Sequence, residues 1–295
     1  MEKKVIYKKF KRERLDFYLA SVYKNHSRSY FQKLIYNKKI LVNNKITSSS
    51  SYKLKYGDVI IFEFEDGKVL LIEEPENIKL NIIYEDTDII VVNKPAGIVV
   101  HPGCGHLSGT LINALVGYSK GDYKPYLVHR LDKDTSGAII FAKNEKTKTD
   151  ISEQFQNRDV KKMYYVAVKG TIIENRGKIE APLGRSQQNR KLMTVNSLAK
   201  KIAITEFKTI LRNDGYTLLE VRIITGRTHQ IRSHMKYINH PVVGDQQYGG
   251  PKIINGKQFN RQMLHSYNIS FVHPKTMKIM EFIAELPTDM KRMLI

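Results

Sequence analysis

Apolar positions change their period at a few places along this chain, and those changes divide it into elements. Residues 14 to 23 put Leu15, Tyr18, Leu19 and Val22 at i, i+3, i+4 and i+7, the stripe of an amphipathic helix. Ser27 or Ser29 can cap a second helix, with Phe31, Leu34 and Ile35 on its inner side. A hairpin follows, Ile40-Leu41-Val42, the turn Asn43-Asn44, then Lys45-Ile46. After a serine run, Ser48 to Ser51, come Lys53-Leu54-Lys55, a Gly57-Asp58 turn and the strand Val59 to Phe62. Glu73-Glu74-Pro75-Glu76-Asn77 is acidic, carries a proline and has no period. A domain boundary is expected there, giving a small α/β domain over 1–74 and a larger one over 75–295.

In the second part, short strands alternate with turns. Asn81 to Tyr84 and Ile89 to Val92 are separated by a polar turn of hairpin length, and Asn93 to Gly97 is a second turn leading to Ile98 to Gly103. Thr110 can start a helix with Leu111, Ala114 and Leu115 on one face. Glu145 to Asn157 reads as a helix with Ile151 and Phe155 inward, and strands are expected over Lys162 to Val168, Ile202 to Thr209 and Tyr216 to Ile224. Thr228 can cap a last helix that buries Ile231, His234 and Met235. Hairpin-length turns make the fold class α+β, with a mainly antiparallel mixed sheet flanked by helices.

Charge narrows the partners. The 295 residues carry a net charge of +20, and the first fifty hold 13 Lys or Arg against three Asp or Glu, a net +10. Half the excess in a sixth of the length favours a polyanion, nucleic acid before membrane. The longest apolar runs are far too short to cross a bilayer, and no apolar stretch of signal-peptide length follows the charged N-terminus. One cysteine, Cys104, excludes an internal disulfide. A reducing cytoplasm fits.

Candidate chemistry concentrates in His129-Arg130-Leu131-Asp132-Lys133-Asp134-Thr135-Ser136-Gly137. Tyr126-Leu127-Val128 leads into this polar loop and Ala138 to Phe141 leads out, so two strands bracket it, the usual setting for reactive side chains on a rigid base. A plain turn, with Asp134, Thr135 and Ser136 bonding their own backbone and Gly137 supplying an unusual angle, is the alternative. His229 and His234 are five apart rather than the four of a helical metal pair, so no metal site is expected.

His-Arg-Leu-Asp-x-x-Thr-Ser-Gly resembles the signature of the RNA pseudouridine synthases of the RluA and RluD type, in which the Asp is catalytic. The turn Asn93-Lys94-Pro95 followed by a Val100-x-Pro102 strand is similar to that family's first motif, with Lys94 its RNA-facing member. Lys162 to Gly170 resembles its Lys-x-Tyr motif, whose tyrosine enters the site; Tyr164 is the match and Tyr165 the alternative. Thr225-Gly226-Arg227-Thr228-His229-Gln230-Ile231-Arg232-Ser233-His234-Met235 resembles the third motif and supplies Arg232, with Arg227 toward RNA. His240-Pro241-Val242-Val243-Gly244-Asp245 with Tyr248-Gly249, then Arg261 to His265, continue the likeness. Arg14-Leu15-Asp16, Ser27-Arg28-Ser29, Leu41-Val42-Asn43 and Gly57-Asp58 are similar to the S4-like RNA-binding domain, whose contacts would come from Arg14, Arg28 and Lys33.

The resemblance implies a pseudouridine synthase fold and isomerisation of specific uridines, with no cofactor. Asp132 would act on the ribose, as nucleophile at C1′ or base at C2′. Arg232 would hold it ionised, because an isolated buried carboxylate is otherwise driven neutral. Tyr164 would pack on the base or help move the C5 proton. Arg130 would occupy the space a flipped uridine leaves, with His129 lining the same opening. The RluD branch implies large-subunit ribosomal RNA as substrate, with transfer RNA the alternative. The fused first domain, Asn93 to Gly103 and the Lys133-Asp134 variant carry that likeness. Two rivals remain. One is a non-catalytic ribosome-assembly factor. The other is a magnesium hydrolase, which needs more oxygen ligands than Asp132 and Asp134 offer. The sequence does not express an oligomeric state, and a monomer is the working expectation.

Overall fold

The computed structural model describes all residues except 1, 24–25, 27, 50, 65–73, 103–105, 107, 190–191, 197–198, 200 and 294–295, and not the side chain of Ser29. The expected caps Ser27 and Ser29, Cys104 and part of the serine run therefore lie outside the description. Two compact units are present, Met1–Glu74 and Pro75–Ile295.

In the first unit the chain runs β1 (Glu2–Ile6), α1 (Leu15–Val22), α2 (Arg28–Tyr36), β2 (Ile40–Val42), β3 (Lys45–Ile46) and β4 (Val59–Glu63). The sheet is antiparallel in the order β1-β4-β2-β3. Leu15, Leu19, Phe31, Leu34 and Ile35 from the helices close on Ile40, Ile60 and Phe62 from the sheet. The hairpin turn places Asn43 at φ 53° and Asn44 at φ 60°, the left-handed pair that matches strand twist in a two-residue loop and that asparagine tolerates.

The second unit runs β5 (Ile82–Glu85), β6 (Ile89–Lys94), α3 (Leu111–Ser119), β7 (Tyr126–Leu127), β8 (Ser136–Ala142), α4 (Glu145–Asn157), β9 (Lys161–Lys169) and β10 (Arg176–Arg185). It continues with β11 (Met193–Val195), β12 (Ile202–Asn213), β13 (Tyr216–Ile223), α5 (Gln230–Tyr237), β14 (Ile253–Ile254), β15 (Lys257–Gln258), β16 (Leu264–Val272), β17 (Ile279–Ile283) and α6 (Thr288–Lys291). Its main sheet has the order β11-β10-β12-β13-β9-β16-β8-β6-β5, with β7 beside β8 and β17 beside β16. All pairings in it are antiparallel except β16 with β8. The α+β class with a mainly antiparallel mixed sheet is therefore what the chain adopts.

Both faces of the central strands are covered, which explains their unbroken apolar runs. Ile90, Val92, Ile139 and Phe141 join Val166, Leu219, Val221 and the inner residues of α3 and α5. Their neighbours Ile89, Val91, Ala138 and Ile140 turn the other way, to Ile151 of α4 and Ile269, Phe271 and Phe282. Helix α3 begins where Thr110 caps the backbone N–H of Asn113 in a reciprocal capping box.

Two expectations need correction. The Val-x-Pro segment is irregular, not a strand: Val99 and Val100 carbonyls accept from the N–H groups of Leu111 and Ile112, at 2.9 and 3.1 Å, and so close the start of α3. Thr228 is not the cap of α5; His229 is, at φ 51° and with no side-chain capping bond. The Gln230 side chain does the holding instead, accepting from Thr225 Oγ1 at 2.7 Å and from the N–H of Arg227 at 3.0 Å.

Candidate active site

The polar loop between β7 and β8 is clamped through its carbonyls. Lys94 Nζ donates to Lys133 O at 2.8 Å, and also to Pro95 O and Ile98 O at 2.8 and 2.9 Å. Arg261 Nη1 donates to Asp134 O at 3.0 Å, and Gln262 Nε2 to Thr135 Oγ1 at 3.3 Å. Ser136 Oγ meets His265 Nδ1 at 2.9 Å. Thr135 and Ser136 thus bond across the sheet, and the plain-turn reading of their side chains does not hold. Gly137 sits at φ 117° with a Cβ position inside the backbone of Ser266, so no other residue fits where β8 meets β16.

Lys94 is corrected by this arrangement. It is 0% exposed, and its three N–H bonds are all used inside the protein, so it cannot face RNA. Burial lowers its ammonium from 10.5 to about 7, while Asp134 pulls the other way. Lys94→Met removes from the buried ammonium position the donor that ties the carbonyls of Pro95, Ile98 and Lys133 together. An expected loss of about 3 kcal/mol or more follows, read as a fall in melting temperature of roughly 6 to 12 °C. An unchanged melting temperature would show that the clamp holds nothing.

Asp132 is the carboxylate the clamped loop presents. Its Oδ2 accepts from Arg232 Nη1 at 3.1 Å and lies 3.9 Å from His229 Nε2; its side chain is 19% exposed, open enough to meet a substrate. Arg232, 5% exposed, is itself gripped by Asp245, with Nε to Oδ2 at 2.6 Å and Nη2 to Oδ1 at 2.9 Å. Gln247 takes a further bond at 2.8 Å, and the guanidinium lies over the Tyr248 ring at 4.8 Å. Burial alone would lower the pKa of Arg232, but the bonds and charges of Asp245 and Asp132 outweigh it and raise it. The Tyr248 hydroxyl also meets His229 Nδ1 at 2.9 Å. Burial lowers the pKa of His229, against the pull of Asp132.

Asp132 opens on a cleft of about 680 Å³. That volume falls within the usual range for small-molecule sites. Tyr164 and Arg232 share its wall, with Leu131, Ile223 and Leu264 supplying apolar surface. Tyr164 is buried, which keeps its hydroxyl protonated against the lesser help of Ser266. Tyr165 points to the opposite face, stacked on Tyr267 at 4.1 Å, so strand alternation decides between the two tyrosines. Arg130 and Arg227 stand exposed at the rim, and His129 lines the same wall. His129 carries no charge: burial lowers it to about 3, its Nε2 accepts the Ile140 N–H at 3.0 Å, and its ring stacks on Phe155.

Sequence reading named Asp245, Tyr248, Phe155 and Lys162 without giving them a part in the site and passed over Gln247 and Arg158; Asp245, Gln247 and Tyr248 fix Arg232, and Phe155, Arg158 and Lys162 line the cleft. Burial lowers Lys162 to about 8. It is therefore charged at neutral pH and loses its charge as pH rises through about 8. The salt dependence of RNA binding is expected to weaken by up to roughly one counterion across that pH, and Lys162→Met should remove the change. Equal slopes in wild type on both sides of pH 8 would mean that Lys162 meets no phosphate.

In the first unit, Arg14 and Arg28 converge on fully buried Asp16. Arg14 bonds both its oxygens at 2.9 Å, Arg28 bonds Oδ2 at 2.9 Å and Gln32 adds 2.6 Å. Burial raises the Asp16 carboxyl, and these donors outweigh it to leave the pKa lowered. Both arginines keep about half their side-chain surface, so Asp16 orients them without hiding them. Lys33 reaches Glu74 at 3.1 Å.

A clamped loop offering one carboxylate, an arginine locked behind it and a buried tyrosine beside a basic-rimmed cleft define an RNA-modifying class of site. A family profile described as RNA pseudouridylate synthase matches residues 88–237, and one described as S4 domain matches residues 13–60. An uncharacterized RNA pseudouridine synthase of Bacillus subtilis is 40% identical over 291 residues, covering 96% of this chain and 94% of the relative. Ribosomal large subunit pseudouridine synthase D of Haemophilus influenzae is 38% identical over 301 residues, covering 96% and 90%. Human RNA Pseudouridylate Synthase Domain Containing 1 superposes with a TM-score of 0.59 at 27% identity, over 76% of this chain and 87% of that one. The chain belongs to the RNA pseudouridine synthase family and carries an S4 domain. Among the described residues no helix is long and apolar enough to cross a membrane.

Proposed function

We propose that this protein isomerises uridines of large-subunit ribosomal RNA to pseudouridine, with Asp132 as its catalytic carboxylate. The carrying observation is the single cleft carboxylate tied to Arg232 beside Tyr164. The reaction breaks the bond from uracil N1 to ribose C1′ and rejoins the base through C5, with no atoms gained or lost. Glycosidases use two carboxyl groups because a sugar alcohol leaves only when protonated. Uracil leaves as a delocalised anion, so one suffices. Asp132 bonds C1′ or removes the C2′ proton, and either role requires it ionised. Tyr164, neutral and walled in, packs against the base. The target uridine must be drawn out of its stack, and exposed Arg130 can fill the space it leaves.

The ribosomal substrate is supported by relatives named ribosomal large subunit pseudouridine synthase D, similar along nearly the full chain. The first unit suits it: Arg14 and Arg28, held by Asp16, would supply phosphate contacts that fix position more than sequence. The reading takes the protein as a monomer acting in the cytoplasm, where ribosomes assemble. The test incubates purified protein with unmodified ribosomal and transfer RNA in chelator and maps pseudouridine by chemical marking and reverse-transcription stops. Stops in large-subunit RNA are expected. Stops confined to transfer RNA would move the substrate, and binding without stops would favour the assembly-factor reading.

A further inference from the structure

The first unit carries an exposed aromatic stack that the site above does not use. Segments 7–15 and 52–58 run alongside each other, tied at one end by Tyr7 N to Asp58 O and Gly57 N to Tyr7 O, both 2.9 Å. Leu54 N to Glu13 O at 2.9 Å and Leu15 N to Tyr52 O at 2.8 Å tie the other end. Between these anchors Phe10 and Tyr56 project together. Their rings lie 4.7 Å apart and 7° from parallel, yet Phe10 is 88% exposed and Tyr56 60%. A phenylalanine buried for stability would not stand that open. Each ring covers one face of the other, and the outer faces are free to take another flat ring.

The surroundings choose the occupant. Lys8, Lys11, Arg12, Lys53 and Lys55 are all exposed on the same two segments. The acid at Glu13 is taken by Lys9, at 3.1 Å, and Asp58 is buried against Asn43 and the Lys55 N–H. Flat aromatic surface within a field of lysines is the composition that binds single-stranded nucleic acid, bases stacking on the rings and phosphates meeting the cations. A protein docking patch of this size would need more contiguous apolar area and fewer lysines.

We infer that Phe10 and Tyr56 form a stacking platform for an unpaired nucleotide of RNA, flanked by Lys53 and Lys55 as phosphate contacts. It deepens the proposed function by giving the S4 domain a preference for single-stranded RNA, and its test reads binding alone.

The chain has no tryptophan, so Phe10→Trp in the full-length protein supplies a lone reporter at the platform. Its emission is expected to be quenched by a short single-stranded oligoadenylate and little affected by a duplex RNA of equal length. Phe10→Ala with Tyr56→Ala should weaken oligoadenylate binding roughly 5- to 100-fold with the salt slope unchanged. Lys53→Ala with Lys55→Ala should instead lower that slope. Phe10→Trp and Tyr56→Phe should bind as wild type does. Unchanged affinity in the double alanine variant, or no quenching of the bound tryptophan, would overturn the platform. So would intact RNA affinity in that variant together with lost association with a ribosomal protein. A wild type that binds oligoadenylate through Phe10 but forms no pseudouridine would uphold the platform and remove the activity proposed above.

Discussion

Asp132→Asn is expected to abolish pseudouridine formation while leaving the protein folded and bound to RNA. The asparagine keeps the shape of the side chain and a carbonyl that can accept from Arg232 Nη1, now 3.1 Å from Asp132 Oδ2. What it lacks is the negative charge and basicity that either reaction at the ribose needs. Removal of a group that acts on the reacting atoms lowers turnover by on the order of 10⁴-fold. Stability should move by less than about 1 kcal/mol, because Asp245 still neutralises Arg232 and the altered side chain is partly exposed. Single-turnover rates and melting curves on one preparation check both halves. Turnover within tenfold of wild type would exclude Asp132 from the chemistry.

Asp245→Asn should give the reverse pattern, a large loss of stability with a smaller loss of rate. Asp245 is 1% exposed and makes two of the bonds that hold Arg232. Breaking one partner of a buried ion pair costs roughly 3–5 kcal/mol, or a melting temperature lower by about 6 to 20 °C in a unit of this size. With Asp245 neutral, Arg232 keeps Asp132 as its one acidic partner among the described residues and is drawn onto it, which would hold the oxygen proposed to act on the ribose away from it. A reduction in kcat of about 10- to 100-fold is expected, the range for loss of an outer supporting contact, with KM for RNA nearly unchanged. Asp245→Glu, which keeps the charge, should recover part of both. A rise in KM with kcat intact would instead make Asp245 part of RNA binding.

The contrast between these two aspartates shows where sequence reading stops. Periodicity recovers α4, the Asn43-Asn44 hairpin and the helix after Thr110, because each is decided within one or two turns of chain. It misses β1, β10, β16 and β17, where Glu-Lys-Lys or His-Ser-Tyr-Asn runs carry too little alternation for a strand and only the neighbouring strands make them one. The motif letters bring Asp132, Tyr164 and Arg232 to one cleft. They do not say which way a side chain points, so Lys94 reads as a surface cation when it is a buried clamp. Nor do they pair Arg232 with Asp245 and Gln247, whose contact depends on how the chain after α5 doubles back.

The position of β16 in the sheet has a consequence for how the protein is made. Asp132 precedes β8, while Tyr164 and Arg232 come with β9 and α5, and β16 lies between β9 and β8. Until residue 264 has left the ribosome, both halves of the cleft exist but share no seam. Each half also shows an unpaired central edge. Asp132, Tyr164 and Arg232 are all synthesised before β16, yet activity must wait for this strand, which brings Leu264 to the cleft wall and His265 to Ser136. The enzyme therefore becomes competent only once β16 has been made, and in the interval the two raw edges are the sites where a chaperone has most to shield.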